Sequence, residues 1–280
     1  MFVTRFAPSP TGPLHLGHAY SACLAHDMAR ARDGTFLLRI EDIDRSRARP
    51  HWETQIHDDL HWLGLDWPEP VMRQSDRVAA YATALAQLSD MGLTYPCRCR
   101  RADIEAAAGA PQEGVPQVGP DGRIYPGTCR HRPMSDRDPG DVIRLNMQLV
   151  ARMRPRSHFI ETGPLHAGCH AVDPKILVHT VGDPILERRD MGGSYHLSVV
   201  VDDAAQGITH VIRGADLFEA TALHVILQGL LGLPVPEYHH HRLIRDETGK
   251  RLAKRDDARA IALYRSEGLS PADIRRKVGL

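Results

Sequence analysis

The sequence predicts an α/β protein: a parallel sheet with covering helices, an inserted α+β segment, and a short helical tail. Three observations predict it. A strand, a Pro/Gly loop, a helix and a second strand follow one another from Phe2 to Ile40, the opening of a Rossmann-type domain. A stretch rich in Gly, Pro, Arg and Cys then begins near Tyr95, where the regular patterning stops. Strand and helix patterns resume near Asp183 and continue to Leu231.

Each element has a local reason. Phe2 to Phe6 alternates as a short strand. Ala7 to Pro13 is a loop of Pro, Ser, Thr and Gly, and Leu16 to Arg32 carries small and apolar residues at helical spacing. Thr35 to Ile40 reads as a second strand and ends in Glu41-Asp42-Ile43-Asp44. Helical patterns follow at Trp52 to Leu63 and Asp76 to Met91, with a short one at Ala102 to Ala108. Mixed strands are expected from Asp141 to Glu161. Asp183 to Asp190, Tyr195 to Val201 and the strand Ile208 to Arg213 open a second half. A helix from Asp216 to Leu231 closes it before Gly232 and Pro234, and a strand is expected at Arg242 to Arg245. The expected division is 1–94 and 176–235 for the two halves of the α/β domain, 95–175 for the insertion, and 236–280 for a loop region and tail.

Composition excludes several classes. Hydrophobic residues are 42% and charged residues 25% of 280, ordinary for a globular chain and wrong for a disordered or fibrous one. No apolar run approaches the roughly 20 residues of a membrane helix; Gln228, Gly229, Gly232 and Pro234 break the longest candidate. No membrane partner is expected. The N-terminus lacks a charged-then-apolar leader, so a cytoplasmic location is the expectation. Basic and acidic residues number 35 each, so net charge announces no nucleic-acid partner. No obligate protein partner is evident.

The chemistry begins at Ala-Pro-Ser-Pro-Thr-Gly-Pro-Leu-His-Leu-Gly-His, residues 7–18. A strand feeding a Pro/Gly loop at a helix N-terminus offers backbone N–H groups and a dipole end to phosphates. Gly17 permits close approach of an adenine nucleotide, and His15 and His18 supply donors for charge growing on an α-phosphate. The same histidines could also simply cap a helix. Downstream lies Lys250-Arg251-Leu252-Ala253-Lys254-Arg255. Alone it is a basic surface loop; paired with the first motif, Lys254 suits departing pyrophosphate.

With these residues the sequence resembles the class I aminoacyl-tRNA synthetases of the glutamyl type. Residues 8–18 are similar to the family's HIGH region and Arg251 to Arg255 to its KMSKS loop, although Ala253 and Arg255 stand at its two serine positions. The likeness continues through Arg39 to Asp44, Tyr195 to Asp203, Ile208 to Leu217 and Leu230 to Pro234. About 25 residues follow Arg255, too few for an anticodon-binding domain of usual size. The expectation is therefore the family's short branch, the glutamyl-queuosine tRNA(Asp) synthetases. The resemblance implies a class I synthetase catalytic core that uses ATP with Mg2+ and activates L-glutamate without tRNA. It also implies transfer of the glutamyl group to the cyclopentenediol of queuosine in tRNA(Asp).

A glutamate pocket needs an acid for the ammonium and arginines for the γ-carboxylate. The resemblance places Arg5, Phe6, Ala7, Pro8, Ser9, Glu41, Tyr195 and Arg213 in it. Glu41 would meet the ammonium, and Arg5 and Arg213 the carboxylate. Read without the family, Arg5 and Arg213 could be strand-end surface residues and Glu41 an ordinary ion-pair member. Five cysteines with no secretory leader favour metal over disulfide. Cys97, Cys99 and Cys129 suit Zn2+. The family's Tyr-x-x-x-Cys arrangement offers Tyr125 as fourth ligand, whereas general metal chemistry offers His131. Three incidental thiols would look the same. Arg98, Arg100, Arg101, Arg130, Arg132, Arg152, Arg154 and Arg156 could track RNA phosphates or form a solvated face.

Three other readings compete with the short-branch enzyme. A truncated catalytic fragment would charge the 3′ end of tRNA(Glu). A small nucleotidyltransferase would use His-x-Gly-His without an amino acid. A non-catalytic RNA-binding protein would need neither His15, His18 nor Lys254.

Overall fold

The computed structural model describes residues 1–107, 118–119, 122–155, 157–245 and 259–280. The chain opens with β1 (Val3–Phe6), α1 (Leu16–Arg30) and β2 (Thr35–Ile40). β1 and β2 pair in parallel from Val3↔Thr35 to Phe6↔Leu38, and α1 packs on both. α2 (Pro50–Trp62) begins with proline in its first turn, where the missing N–H costs nothing. β3 (Met72–Arg73) adds to β2 in parallel, and α3 (Val78–Asp90) follows.

β4 (Thr94–Cys97) leaves this layer. It is followed by α4 (Arg101–Ala107), a minimal hairpin of β5 (Val118–Gly119) and β6 (Gly122–Arg123), and β7 (Val142–Leu145). α5 (Met147–Met153), β8 (Ser157–Glu161), β9 (Gly168–Val172), α6 (Pro174–Thr180) and β10 (Ile185–Glu187) come next. β4, β7 and β10 form an antiparallel sheet in the order β10-β7-β4. The β8–β9 hairpin goes elsewhere.

α7 (Tyr195–Ala205), β11 (His210–Gly214), α8 (Phe218–Leu231) and β12 (Glu237–His241) return to parallel pairing. β11 pairs with β12, and β12 with β8 at Tyr238↔Glu161, so the hairpin from the inserted stretch extends this sheet. Thr209 N donates to the Val3 carbonyl at 2.9 Å, setting β11 beside β1. β1 and β11 end at Phe6 and Gly214, and α/β folds bind ligands beyond the C-terminal ends of their strands. α9 (Ile261–Ser266) and α10 (Pro271–Val278) complete the chain, and α10 packs on α1.

One expected element moves. The strand expected at Arg242 to Arg245 lies at Glu237–His241 instead, in register His210↔Glu237 to Gly214↔His241. β11 ends at Gly214, opposite His241. The Glu-Tyr-His-His-His string has no apolar alternation to announce it.

Candidate active site

The loop from Ala7 delivers the chain to α1 with His15 as its N-cap. His15 Nδ1 accepts from Gly17 N at 3.1 Å, and His18 Nδ1 accepts from His15 N at 3.2 Å. The rings stack with centroids 3.8 Å apart. The capping reading is therefore real, and it has a chemical consequence. Both Nδ1 atoms accept, so each neutral imidazole carries its proton on Nε2, the donor form that a phosphate oxygen requires. Glycine at 17 leaves room for this ring: a Cβ there would sit 3.0 Å from His15 Cε1 and press it aside.

His15, Gly17 and His18 share one cavity of about 350 Å³ with Arg5, Phe6, Ala7, Glu41, Tyr195 and Arg213. That volume suits a small-molecule ligand. Pro8 and Ser9 stand beside rather than on its wall; the Pro8 carbonyl accepts from Glu41 N at 3.0 Å and fixes that turn. Ser21, Asp216, Leu217, His241, Leu243 and Ile244 also line it; of these, Asp216 and Leu217 end the stretch Ile208 to Leu217 that resembles the family.

Behind the Glu41 wall lies a charge cluster. Asp203 accepts from Arg5 Nε at 3.0 Å and Nη2 at 3.3 Å, and from Arg39 Nη1 at 2.6 Å. Arg39 Nη2 reaches Glu41 at 3.1 Å. All four side chains are almost wholly buried. Burial works against the Asp203 carboxylate, but Arg5 and Arg39 hold it below the ordinary range. Burial pushes Glu41 up, against the pull of Arg39 and Arg5. Arg39 and Asp203 are visible in the sequence only as charges inside apolar runs, Thr35 to Ile40 and Leu197 to Asp203.

Arg213 differs. Its guanidinium is buried at 6% exposure. It donates to His240 Nε2, His224 Nδ1, Thr221 Oγ1 and the Leu217 carbonyl at 3.0, 3.2, 2.8 and 3.2 Å. These are neutral acceptors. Among the described residues no carboxylate pairs with it directly, and this buried cation lines the cavity. Burial also pushes the Tyr195 phenol up, keeping it a neutral donor at the wall.

Lys250, Arg251, Ala253, Lys254 and Arg255 lie outside the described residues. The residues flanking that segment do meet the cavity. Leu243 and Ile244 line it, and Ala260 bridges to His15, with Ile261 N donating to the Leu14 carbonyl at 2.8 Å.

The thiols of Cys97, Cys99 and Cys129 lie within 4.8 Å of one another. The Tyr125 hydroxyl stands 3.3 Å from Cys97 Sγ and 3.5 Å from Cys99 Sγ, and accepts from Cys129 N at 2.8 Å. Cys99 and Cys129 Sγ are 3.5 Å apart. A tetrahedral zinc with the usual bond lengths needs O···S and S···S edges of roughly 3.5–3.8 Å, so this four-atom set fits such an ion. His131 is exposed and outside the set. Burial opposes the Cys129 thiolate, yet hydrogen bonds, from Tyr125 foremost, draw the thiol down to about 7.

Two arginines considered for RNA are already committed: Arg130 pairs with Asp183 at 2.7 Å and Arg132 with Asp141 at 3.0 Å. Arg101 pairs with Glu105. Arg98, Arg100, Arg152 and Arg154 are exposed, and Arg156 lies outside the described residues. No helix among the described residues is long and apolar enough to cross a membrane.

Known proteins were compared with this arrangement. The profile of the family "tRNA synthetases class I (E and Q), catalytic domain" matches residues 1–280. A curated Glutamyl-Q tRNA(Asp) synthetase of Rhodobacter capsulatus is 63% identical over 99% of this chain and 100% of its own length. Another, from Symbiobacterium thermophilum, is 42% identical over 98% of this chain and 84% of its own. Among solved structures, a glutamate tRNA ligase from Elizabethkingia meningosepticum, in complex with its amino acid, is similar with TM-score 0.71 at 27% identity. The match covers 96% of this chain and 58% of that one, so the chain spans little more than half of that ligase. The chain belongs to the class I tRNA synthetases (E and Q), and within them to the family of the Glutamyl-Q tRNA(Asp) synthetases.

Proposed function

We propose that the protein activates L-glutamate with ATP to glutamyl-adenylate without tRNA, then transfers the glutamyl group to the cyclopentenediol of queuosine in tRNA(Asp). The observation that carries the first step is the single cavity joining the His15–His18 helix start to Glu41 and to Arg213, whose acceptors among the described residues are all neutral. The names of relatives matching over most of their length support the second step over charging of tRNA(Glu).

The roles follow from charge. Glu41 takes the α-ammonium, and the α-carboxylate attacks the α-phosphate. Gly17 and the α1 N-terminus admit the nucleotide, and His15 and His18 donate from Nε2 to the charge that grows there. Lys254 neutralises the departing pyrophosphate, and Mg2+, when bound with ATP, would supply further positive charge to the phosphates. Arg213, with Arg5, receives the γ-carboxylate, and Tyr195 closes the wall; Ala7, Phe6, Pro8 and Ser9 shape the loop side. Glutamine would leave the Arg213 charge uncompensated, which disfavours it. Cys97, Cys99, Tyr125 and Cys129 would hold a structural zinc, which would pin the 95–175 segment between the halves 1–94 and 176–235, with 236–280 carrying the Lys254 loop and tail. The reaction takes place in the cytoplasm.

The test is acceptor-specific. Labelled glutamate should pass to tRNA(Asp) bearing queuosine, and not to tRNA(Asp) lacking it or to tRNA(Glu). Stable labelling of tRNA(Glu) alone would establish the charging-fragment reading instead.

A further inference from the structure

The cation that faces the cavity is held from behind by residues that no sequence motif joins. Arg213 can only donate. Its Nε approaches His240 Nε2 at 3.0 Å, so that nitrogen presents a lone pair and the imidazole proton sits on Nδ1. His240 Nδ1 meets Glu161 Oε2. The other oxygen, Oε1, accepts from Gly163 N at 2.6 Å and His240 N at 2.9 Å. Both side chains are fully buried. The turn is built for this contact: a Cβ at Gly163 would lie 2.3 Å from the His240 carbonyl oxygen and 2.7 Å from Glu161 Oε1. Burial, reinforced by Arg213, pushes the His240 imidazole down to about 4, so it stays neutral at physiological pH.

We infer that Glu161 and His240 form a positioning pair: the carboxylate fixes the imidazole tautomer that anchors Arg213 Nε, and thereby sets selection of a γ-carboxylate over its amide. Glu161 never touches the ligand. It acts through His240, as a carboxylate behind a ligating histidine does in metal sites. The inference rests on the proposed meeting of Arg213 with the γ-carboxylate. The four acceptors of Arg213 occupy four of its five N–H groups, leaving one Nη1 donor for the ligand. Its aim depends on the Nε anchor.

Glu161→Gln tests this because glutamine cannot serve both contacts. If its amide NH2 faces His240 Nδ1, the imidazole proton moves to Nε2 and opposes Arg213 Nε–H. If its carbonyl faces Nδ1, the NH2 opposes the Gly163 and His240 backbone donors. The readouts are amino-acid-dependent ATP–pyrophosphate exchange and histidine 15N resonances. Glu161→Gln should raise KM for glutamate about 10- to 100-fold, with kcat and the KM for ATP changed far less. Its preference for glutamate over glutamine should shrink. Wild type should show His240 as the Nδ1–H tautomer, which needs no variant to fold.

Three results overturn the inference. One is wild-type exchange with a weakened Arg213→Lys and an unaltered Glu161→Gln, which leaves the glutamate reading standing. Another is an equal loss for glutamate, ATP and thermal stability in Glu161→Gln, which makes Glu161 merely structural. The third is an Nε2–H tautomer in wild type. Absence of glutamate-dependent exchange in wild type would instead remove the functional reading itself, and the inference with it.

Discussion

Asp203→Asn is the sharpest probe of the cluster behind the cavity. Asp203 neutralises two buried guanidiniums through three hydrogen bonds of 2.6 to 3.3 Å. Asparagine keeps one carbonyl acceptor but removes the charge, leaving Arg39 its pair with Glu41 and Arg5 without its carboxylate. Removing one member of a buried pair costs about 3–5 kcal/mol. The retained acceptor argues for the lower end, about 3 kcal/mol. Unfolding entropy of about 2.1 cal/mol/K per residue gives about 590 cal/mol/K for this length, so Tm should fall by about 5 °C at pH 7. The pH dependence adds a signature. The Asp203 carboxyl is depressed in the fold, so its stabilisation is complete above the unfolded pKa of about 3.9 and is lost as pH falls through the lower native value. The Tm gap between wild type and variant should therefore narrow below about pH 4. Calorimetry from pH 7 to 3 measures both, and exchange kinetics should show a raised KM for glutamate because Arg5 has lost its bidentate anchor. A variant within 1 °C of wild type, or a gap constant with pH, would refute the reasoning.

Three further predictions follow from the geometry. Gly17→Ala places a Cβ against the His15 ring; exchange kcat should fall at least about tenfold while KM for glutamate holds, and unchanged kcat would separate His15 from the phosphate. Cys129→Ser should lower bound zinc, read by metal analysis, and reduce Tm, whereas His131→Ala should change neither; full zinc in Cys129→Ser would exclude that ligand set. Lys254→Ala should slow exchange more than it weakens glutamate binding, seen as a fall in kcat with little change in KM; unaltered turnover would remove its phosphate role.

What the sequence discloses here is local. Val3–Phe6 and Thr35–Ile40 announce themselves by alternation and apolar content, and His15, Gly17 and His18 are three neighbours on one helix start. Local signals also suffice for Cys97 and Cys99. The remaining architecture is made by pairings between residues far apart in the chain. Arg5 finds Asp203 across 198 positions and Glu161 finds His240 across 79; neither pairing leaves a periodicity to detect. Arg39 and Asp203 could have been suspected as charges stranded in apolar runs, because such residues must be paired when buried. The strand Glu237–His241 escapes notice for a different reason: its polar, histidine-rich string carries no alternation, and pairing with β11 on one side and β8 on the other makes it part of a sheet. The strands Val142–Leu145 and Ser157–Glu161 lie within the stretch Asp141 to Glu161 where mixed strands are expected.

The most direct measurement is ATP–pyrophosphate exchange without tRNA, supplying glutamate, glutamine and aspartate in turn. The proposed pairing of Glu41 with the ammonium and Arg213 with the γ-carboxylate predicts exchange with glutamate and little with the other two. No exchange with glutamate until tRNA(Glu) is added, or equal exchange with glutamine, would contradict it.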